Sequence, residues 1–255
     1  NRDLSQLEFN SRVLSQAEQA NIPPLERLKY LCISSSNLDE FFEIRVAGLK
    51  EQEATFGFSK KSKENYYPAE LLELITARTH QLVKKQYLVY NQKILPLLKS
   101  NNILFLDEKH WRPEQRRWLH NYFFRELLPV LSPVGLDPAH PFPNVLNKNL
   151  CFVISLEGTD AYGRQGRIAI LQAPRTLPRI IRAPSKKNKN KFEFVLLSTI
   201  IESQIQSLFP GMNVTGFFQF RVTRNSDLFL DDEAVDNLRQ ALEGEMKNEV
   251  LPKNI

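Results

Sequence analysis

No stretch of the 255 residues is apolar for long enough to cross a bilayer. Cysteine is nearly absent. Cys32 and Cys151 sit in apolar contexts without CxxC spacing and are read as buried, inert thiols of a reducing compartment. Neither common phosphate loop, GxGxxG or GxxxxGK[ST], occurs. The four histidines, His80, His110, His120 and His140, are scattered, and none has a second His or Cys at metal-ligand spacing. A Gly-x-Ser-x-Gly nucleophile elbow is also missing. No catalytic residue and no metal ligand is therefore assigned within the chain. The opening Asn1-Arg2-Asp3-Leu4 lacks a Met and does not read as a signal peptide. The chain is expected to begin inside a longer protein and to be cytoplasmic, with a peripheral place at the inner membrane left open.

What is present is ordinary for a globular protein: 42% hydrophobic and 25% charged residues, in a length that suits one large or two small domains. The net charge of +5 leans toward anionic partners without choosing among nucleotides, nucleic acid, other polyanions and acidic lipids.

The first hundred residues read as helices. Leu4, Leu7, Leu14 and Ala17 recur at helical spacing behind Asp3 as a candidate N-cap. Pro23-Pro24 breaks the chain, and Pro24 suits the first position of a second helix burying Leu25, Leu28 and Leu31. Ser34-Ser35-Ser36-Asn37 interrupts the pattern before a helix with Leu38, Phe41, Phe42, Val46 and Leu49 on its apolar side. Residues 55–67 read as a loop. A long helix over 68–98 follows, with Leu71, Leu72, Ile75, Leu82, Tyr90, Ile94 and Leu97 inward. This predicts a helical bundle over 1–100.

The texture then changes. Strands are predicted at 103–106, 150–156, 167–171, 192–196 and 214–222, and helices at 113–128, 199–209 and 233–246. In the last strand Phe218, Phe220 and Val222 alternate with Gln219 and Arg221, which predicts the first three on the buried face. Residues 101–255 are read as an α+β domain with a mainly antiparallel sheet.

The most informative stretch runs from Ser34 to Lys50. Asn37 with Glu40 three residues on has capping-box spacing. The same helix start, with free N–H groups and a polar amide, also suits an anion or a nucleotide edge. The two readings are compatible.

Several blocks carry a family resemblance: Asn1 to Leu14 (NRDLSQLEFNSRVL), Pro24 to Leu31 (PLERLKYL), Ser35 to Phe42 (SSNLDEFF) and Arg45 to Leu49 (RVAGL), then Asp137 to Pro143 (DPAHPFP) and Phe220 to Asp227 (FRVTRNSD). In this order they resemble the polyphosphate kinase family over most of the chain. Gln6 departs from the Trp found in many members, which touches a packing contact only. The resemblance implies a longer, four-domain enzyme: a helical N-terminal domain, a head domain and two C-terminal domains related to phospholipase D. Such an enzyme moves the terminal phosphate of ATP reversibly onto polyphosphate, with Mg²⁺ and a phosphohistidine intermediate. The phosphorylated His and the Arg residues near the metal belong to the C-terminal domains, so none of the four histidines inherits that role. Asn37 is the implied ATP contact, at the adenine side of the tunnel. The head domain is implied to support a homodimer. Expected partners are ATP or ADP and inorganic polyphosphate, not nucleic acid, with neither ATP nor Mg²⁺ bound by this chain alone.

Three further features keep a plain reading beside a functional one. His140, in a Pro-rich turn, reads as a structural hydrogen-bonder. The Lys186–Lys191 run reads as a solvated loop that could meet a polyanion. Arg221 and Arg224 suit either bidentate phosphate binding or ion pairs. The rival to the enzyme reading is a free-standing, non-catalytic anion-binding or scaffold module.

Because no nucleophile, base and metal constellation is assigned, the purified chain incubated with ATP and Mg²⁺ should form no polyphosphate. Turnover above a blank that survives further purification contradicts this.

Overall fold

The structure, a computed structural model, describes residues 1–56, 66–136, 143–159, 168–184 and 190–225. They fall into two compact units: Asn1–Asn101 with the described part of Thr223–Ile255, and Asn102–Val222. The expected helix over 233–246, His140 and Lys186 to Lys189 lie outside the described residues.

The first unit is built from three long helical segments. Helix α1 is Arg2–Gln16, with Leu7, Asn10 and Leu14 on its buried side. Its cap is Asn1 rather than Asp3. The Asn1 Oδ1 accepts from the backbone N–H of Asp3 at 2.9 Å and of Leu4 at 3.2 Å. Asp3 lies two residues too deep to cap, and its buried carboxylate instead accepts from Arg45 Nε at 2.8 Å.

The second segment runs through helix α2 (Pro24–Glu40), a π-helical turn (Phe41–Val46) and helix α3 (Ala47–Phe56). Pro24 opens it as expected, but Leu25 is 57% exposed. The buried line of α2 is Arg27, Leu31, Ser34 and Leu38, and Leu25 lies about 200° round the helix from Arg27. Arg27 donates through Nε to Ala17 O at 2.7 Å, placing a cation at the C-terminal end of α1 where the helix dipole favours it.

Ser34 to Asn37 do not interrupt this segment. The Asn37 carbonyl accepts the backbone N–H of Phe41, which is the bond of a helix interior, so Asn37 is not a cap. Four residues of middling propensity cost about 2 kcal/mol relative to Ala. Burying Leu31, Leu38 and Phe41 contributes roughly 1.5–3 kcal/mol each and outweighs that cost.

The third segment joins helix α4 (Pro68–Val89), a π-helical turn (Tyr90–Ile94) and helix α5 (Leu95–Ser100). Leu71, Ile75 and Leu82 are buried as expected. Val89, seven residues on from Leu82, continues the stripe in place of Tyr90, and the π turn then shifts it by one residue, so Ile94 and Leu98 are buried while Tyr90 and Leu97 are only half-buried. Two asparagines stop α5. The Asn101 Nδ2 donates to Leu97 O at 2.8 Å, and Asn102 takes the left-handed conformation (φ 62°) that Asn tolerates.

The second unit is α+β, as expected. Strands β1 (Ile103–Phe105), β5 (Ile180–Arg182) and β6 (Phe192–Leu196) form one sheet in the order β1-β6-β5, with β1 parallel and β5 antiparallel to β6. Strands β2 (Val134–Gly135), β3 (Cys151–Gly158), β4 (Ile168–Gln172) and β7 (Met212–Phe220) form a second, wholly antiparallel sheet in the order β2-β4-β3-β7. Helices α6 (Pro113–Tyr122) and α7 (Leu197–Gln204) share a core with both sheets through Leu119, Phe123, Phe152, Leu171, Val195 and Ile200.

The face of β7 differs from the alternation reading. Phe217, opposite Ile154, points to the main core and stacks on Phe152 at 4.7 Å. Phe218 lies on the outer face and is 63% exposed, while Phe220 and Val222 join a small cluster with Val145, Cys151 and Ile170. A register shift in the β3–β7 pairing between Ser155 and Leu156 displaces the alternation along the strand. Cys151 is buried, whereas Cys32 is exposed, against expectation.

The central strand β6 buries a carboxylate. Glu193 accepts a bidentate pair from Arg112 (2.9 and 2.7 Å) and a third bond from Gln115 Nε2 at 2.9 Å. The Arg112 hydrogen bonds hold Glu193 below its ordinary 4.5 and raise the Arg112 guanidinium further. A depressed carboxylate stabilises the fold above its unfolded value and loses that contribution as pH falls through the lower folded value. Acid unfolding should therefore steepen below about pH 4.5 and flatten in Glu193→Gln. Arg112→Ala, which strands a buried carboxylate, should cost about 3 kcal/mol in urea unfolding, against about 1 kcal/mol for Glu193→Gln. Equal losses would contradict this asymmetry.

Candidate functional site

Within the first unit, α1 and α2 enclose a recess of about 140 Å³ lined by Gln6, Leu7, Phe9, Asn10, Asn37, Glu40 and Phe41. Helix geometry explains the lining. Gln6, Phe9 and Asn10 stand at i, i+3 and i+4 on α1, and Asn37 and Glu40 at the end of α2 with Phe41 at the start of the π turn repeat that spacing. Each helix thus turns one short polar–aromatic strip toward the other. A cavity of about 150 Å³ takes one benzene. The recess therefore has room for about one six-membered ring, such as the pyrimidine half of a purine. Leu7 and Phe41 form its buried floor, while Phe9 and Glu40 stand at its exposed rim.

A chain of polar side chains fixes the walls. Asn10 is 3% exposed, and its Nδ2 donates to Ser34 O at 2.8 Å. Asn37 Nδ2 donates to Asn10 Oδ1 at 3.4 Å, a long and weak bond. Ser34 Oγ accepts from Gln86 Nε2 on α4 at 2.9 Å. Three helical segments are therefore pinned beside the recess by amides and one hydroxyl. Farther along, Glu18 accepts from Lys85 (2.8 Å) and Lys93 (2.6 Å), and these hydrogen bonds hold its carboxyl below the usual range. The π turn at Phe41–Val46 begins at the recess floor, and such turns recur at functional sites.

Asn37 is the sequence-predicted residue that reaches the recess. The described histidines do not: His80 and His110 are exposed, and His120 stands beside Gln204 and Phe124 in the second unit. Arg221 is exposed and Arg224 half-buried. Of the basic run, Lys191 is described, and it is exposed. Among the described residues no group of three His, Cys, Asp or Glu side chains could hold a metal ion, and no Mg²⁺ ligand set is assigned among them. Among them, too, no helix is long and apolar enough to cross a membrane.

Asn10 and Gln6 are site residues that reading the sequence missed. A signal for Asn10 was present. It falls between Leu7 and Leu14 on the buried stripe of α1, where a polar residue needs a partner. Gln6 showed only its departure from the family's Trp, a packing contact, because it is exposed and helical periodicity says nothing of the partner across the recess.

Comparison with known proteins follows the same division of the chain. A family model described as the polyphosphate kinase N-terminal domain matches residues 1–106, and one described as the polyphosphate kinase middle domain matches residues 114–250. The polyphosphate kinase of Neisseria gonorrhoeae is 48% identical over 96% of this chain, which spans 36% of that protein. That of Pseudomonas putida is 48% identical over the same share, with 34% of its own length covered. A crystal structure of polyphosphate kinase from Porphyromonas gingivalis superposes with a TM-score of 0.79 over 99% of this chain and 38% of its own, at 24% identity, which speaks for the fold. The chain thus spans about a third of the length of these relatives. On the two family matches, it belongs to the polyphosphate kinase family and corresponds to that family's N-terminal and middle domains.

Proposed function

We propose that the chain is the front part of an enzyme that reversibly transfers the terminal phosphate of ATP to inorganic polyphosphate. In this reading the phosphohistidine and the Mg²⁺ ligands come from outside the chain. The recess between α1 and α2 forms the wall that receives the adenine ring. One observation carries the reading: two separate sequence blocks, Asn1 to Leu14 and Ser35 to Phe42, converge on a single ring-sized recess. Asn37 presents its amide there from a helix interior, so it serves no capping need. Phe9 and Phe41 supply apolar ring surface, the usual partner of a base.

The proposed division of labour assigns the first unit to nucleotide contact and the second unit, residues 102–222, to association between two copies. The exposed outer face of β2-β4-β3-β7, with Val134, Ile168 and Phe218, offers apolar surface for the second role. The joint at Asn101–Asn102 is the proposed boundary.

Limited proteolysis should release a stable piece ending at about residue 100. Cleavage without any stable product would contradict the two-domain division. For the site, Asn37→Ala in the full-length enzyme should raise KM for ATP two- to tenfold at unchanged kcat, the cost of about one neutral hydrogen bond made equally in ground and transition states. Its Tm should not fall, because Ala gains about 0.5 kcal/mol of helix propensity over Asn and the bond lost to Asn10 is long. An unchanged KM for ATP would remove Asn37 from the nucleotide site.

A further inference from the structure

We infer that Asn10 is a positioning residue which biases the amide of Asn37 toward one orientation, so that the recess favours a base edge bearing an amino group over one bearing a carbonyl. This rests on the reading of the recess as the base site.

The orientation follows by elimination. Ser34 O can only accept a hydrogen bond, so the Asn10 atom that meets it at 2.8 Å is the Nδ2 donor. The other end of that amide is then Oδ1, which can only accept. The Asn37 atom facing it at 3.4 Å must be a donor, namely Nδ2. Asn37 Oδ1 is thereby turned away from Asn10 and held as an acceptor. Without Asn10 the Asn37 amide could flip and present its NH₂ at the same place, because the two ends have nearly the same size. Asn10 itself cannot flip. It is 3% exposed, and a flip would set its Oδ1 against the Ser34 carbonyl and its NH₂ against that of Asn37. The Ser34 backbone is held in its turn by the helix it belongs to and by the Gln86 bond to its hydroxyl.

The acceptors left for a ligand at the recess are then Asn37 Oδ1 and the Glu40 carboxylate, both on residues that line it. An exocyclic amino group, as on adenine, supplies two donors to such a wall. A carbonyl at the same ring position, as on guanine, would face acceptors with its own lone pairs. Leaving a polar group of the site unpaired is what makes such discrimination strong. Gln6 can rotate to suit either edge and does not decide the matter.

The test is a double-mutant cycle in the full-length enzyme, reading kcat/KM with ATP and with GTP for wild type, Asn10→Ala, Asn37→Ala and the double variant. Asn10→Ala should lower the ATP:GTP preference about two- to threefold, a fraction of one hydrogen bond because the Asn10–Asn37 contact is long. In the Asn37→Ala background it should change the preference no further. A residue that merely packs would lower both activities together and leave the ratio intact. If Asn10→Ala unfolds, Asn10→Ser keeps a small polar group in the buried place and is read in the same way. A preference unchanged by Asn10 variants, while Asn37→Ala still weakens ATP, overturns the positioning role and spares the base site. Equal shifts in both backgrounds mean that Asn10 acts without Asn37, which also overturns it. If Asn37→Ala leaves both nucleotides unaffected, the base-site reading fails, and this inference with it.

Discussion

A buried amide has to be paired, and on α1 that requirement falls on Asn10. Leaving it unpartnered would cost about 1–3 kcal/mol. The structure meets the requirement with a backbone carbonyl, Ser34 O, on the neighbouring segment, which fixes how α1 and α2 lie against each other. Ser34 in turn binds Gln86, bringing the third segment into the same chain of contacts. Leu7, Leu14, Leu31, Leu38 and Ile75 supply the larger burial energy, but they would tolerate small slides along the helices. The polar chain specifies one register, and in that register the two polar–aromatic strips face each other across the recess. The Asp3–Arg45 pair ties the first turn of α1 to the π turn beyond the recess.

The second unit uses a comparable device. Glu193 on β6 is buried between β1 and β5, and Arg112 and Gln115 at the start of α6 satisfy its carboxylate. The same Gln115 side chain accepts from the Arg112 backbone N–H at 3.1 Å and donates to Pro184 O at 3.2 Å. One helix start thus closes a cap, a buried charge and a neighbouring loop. In both units apolar burial drives folding, while a few buried polar atoms decide the alignment.

Much of this was legible in the sequence. Leucine spacing marked the helical segments of the first hundred residues, and the apolar runs marked β3, β4, β6 and β7 within a few residues. What failed has a common cause. Asp3, Ser34 and Asn37 are residue types that favour helix ends and turns, and each was read by that local preference. Each sits inside a helix whose apolar neighbours are buried, and there Asp3 and Ser34 meet distant partners in Arg45 and Gln86. Local propensities of a few tenths of a kcal/mol do not survive such contacts. Leu25 and Cys32 show the complementary limit: apolar character predicts a buried face on average, not each residue's place on it. The outward turn of Phe218 depended on strand pairing, which alternation along one strand does not reveal. Asn37 was found through its resemblance to a family motif, while Asn10 needed the fold.

The central claim is that the α1–α2 recess receives the base of ATP. A structure of the full-length enzyme with a non-hydrolysable ATP analogue tests it most directly. The account predicts the base ring between Phe9 and Phe41, with an amino group about 3 Å from Asn37 Oδ1. A fully occupied analogue whose base lies elsewhere, with only solvent in the recess, would contradict it.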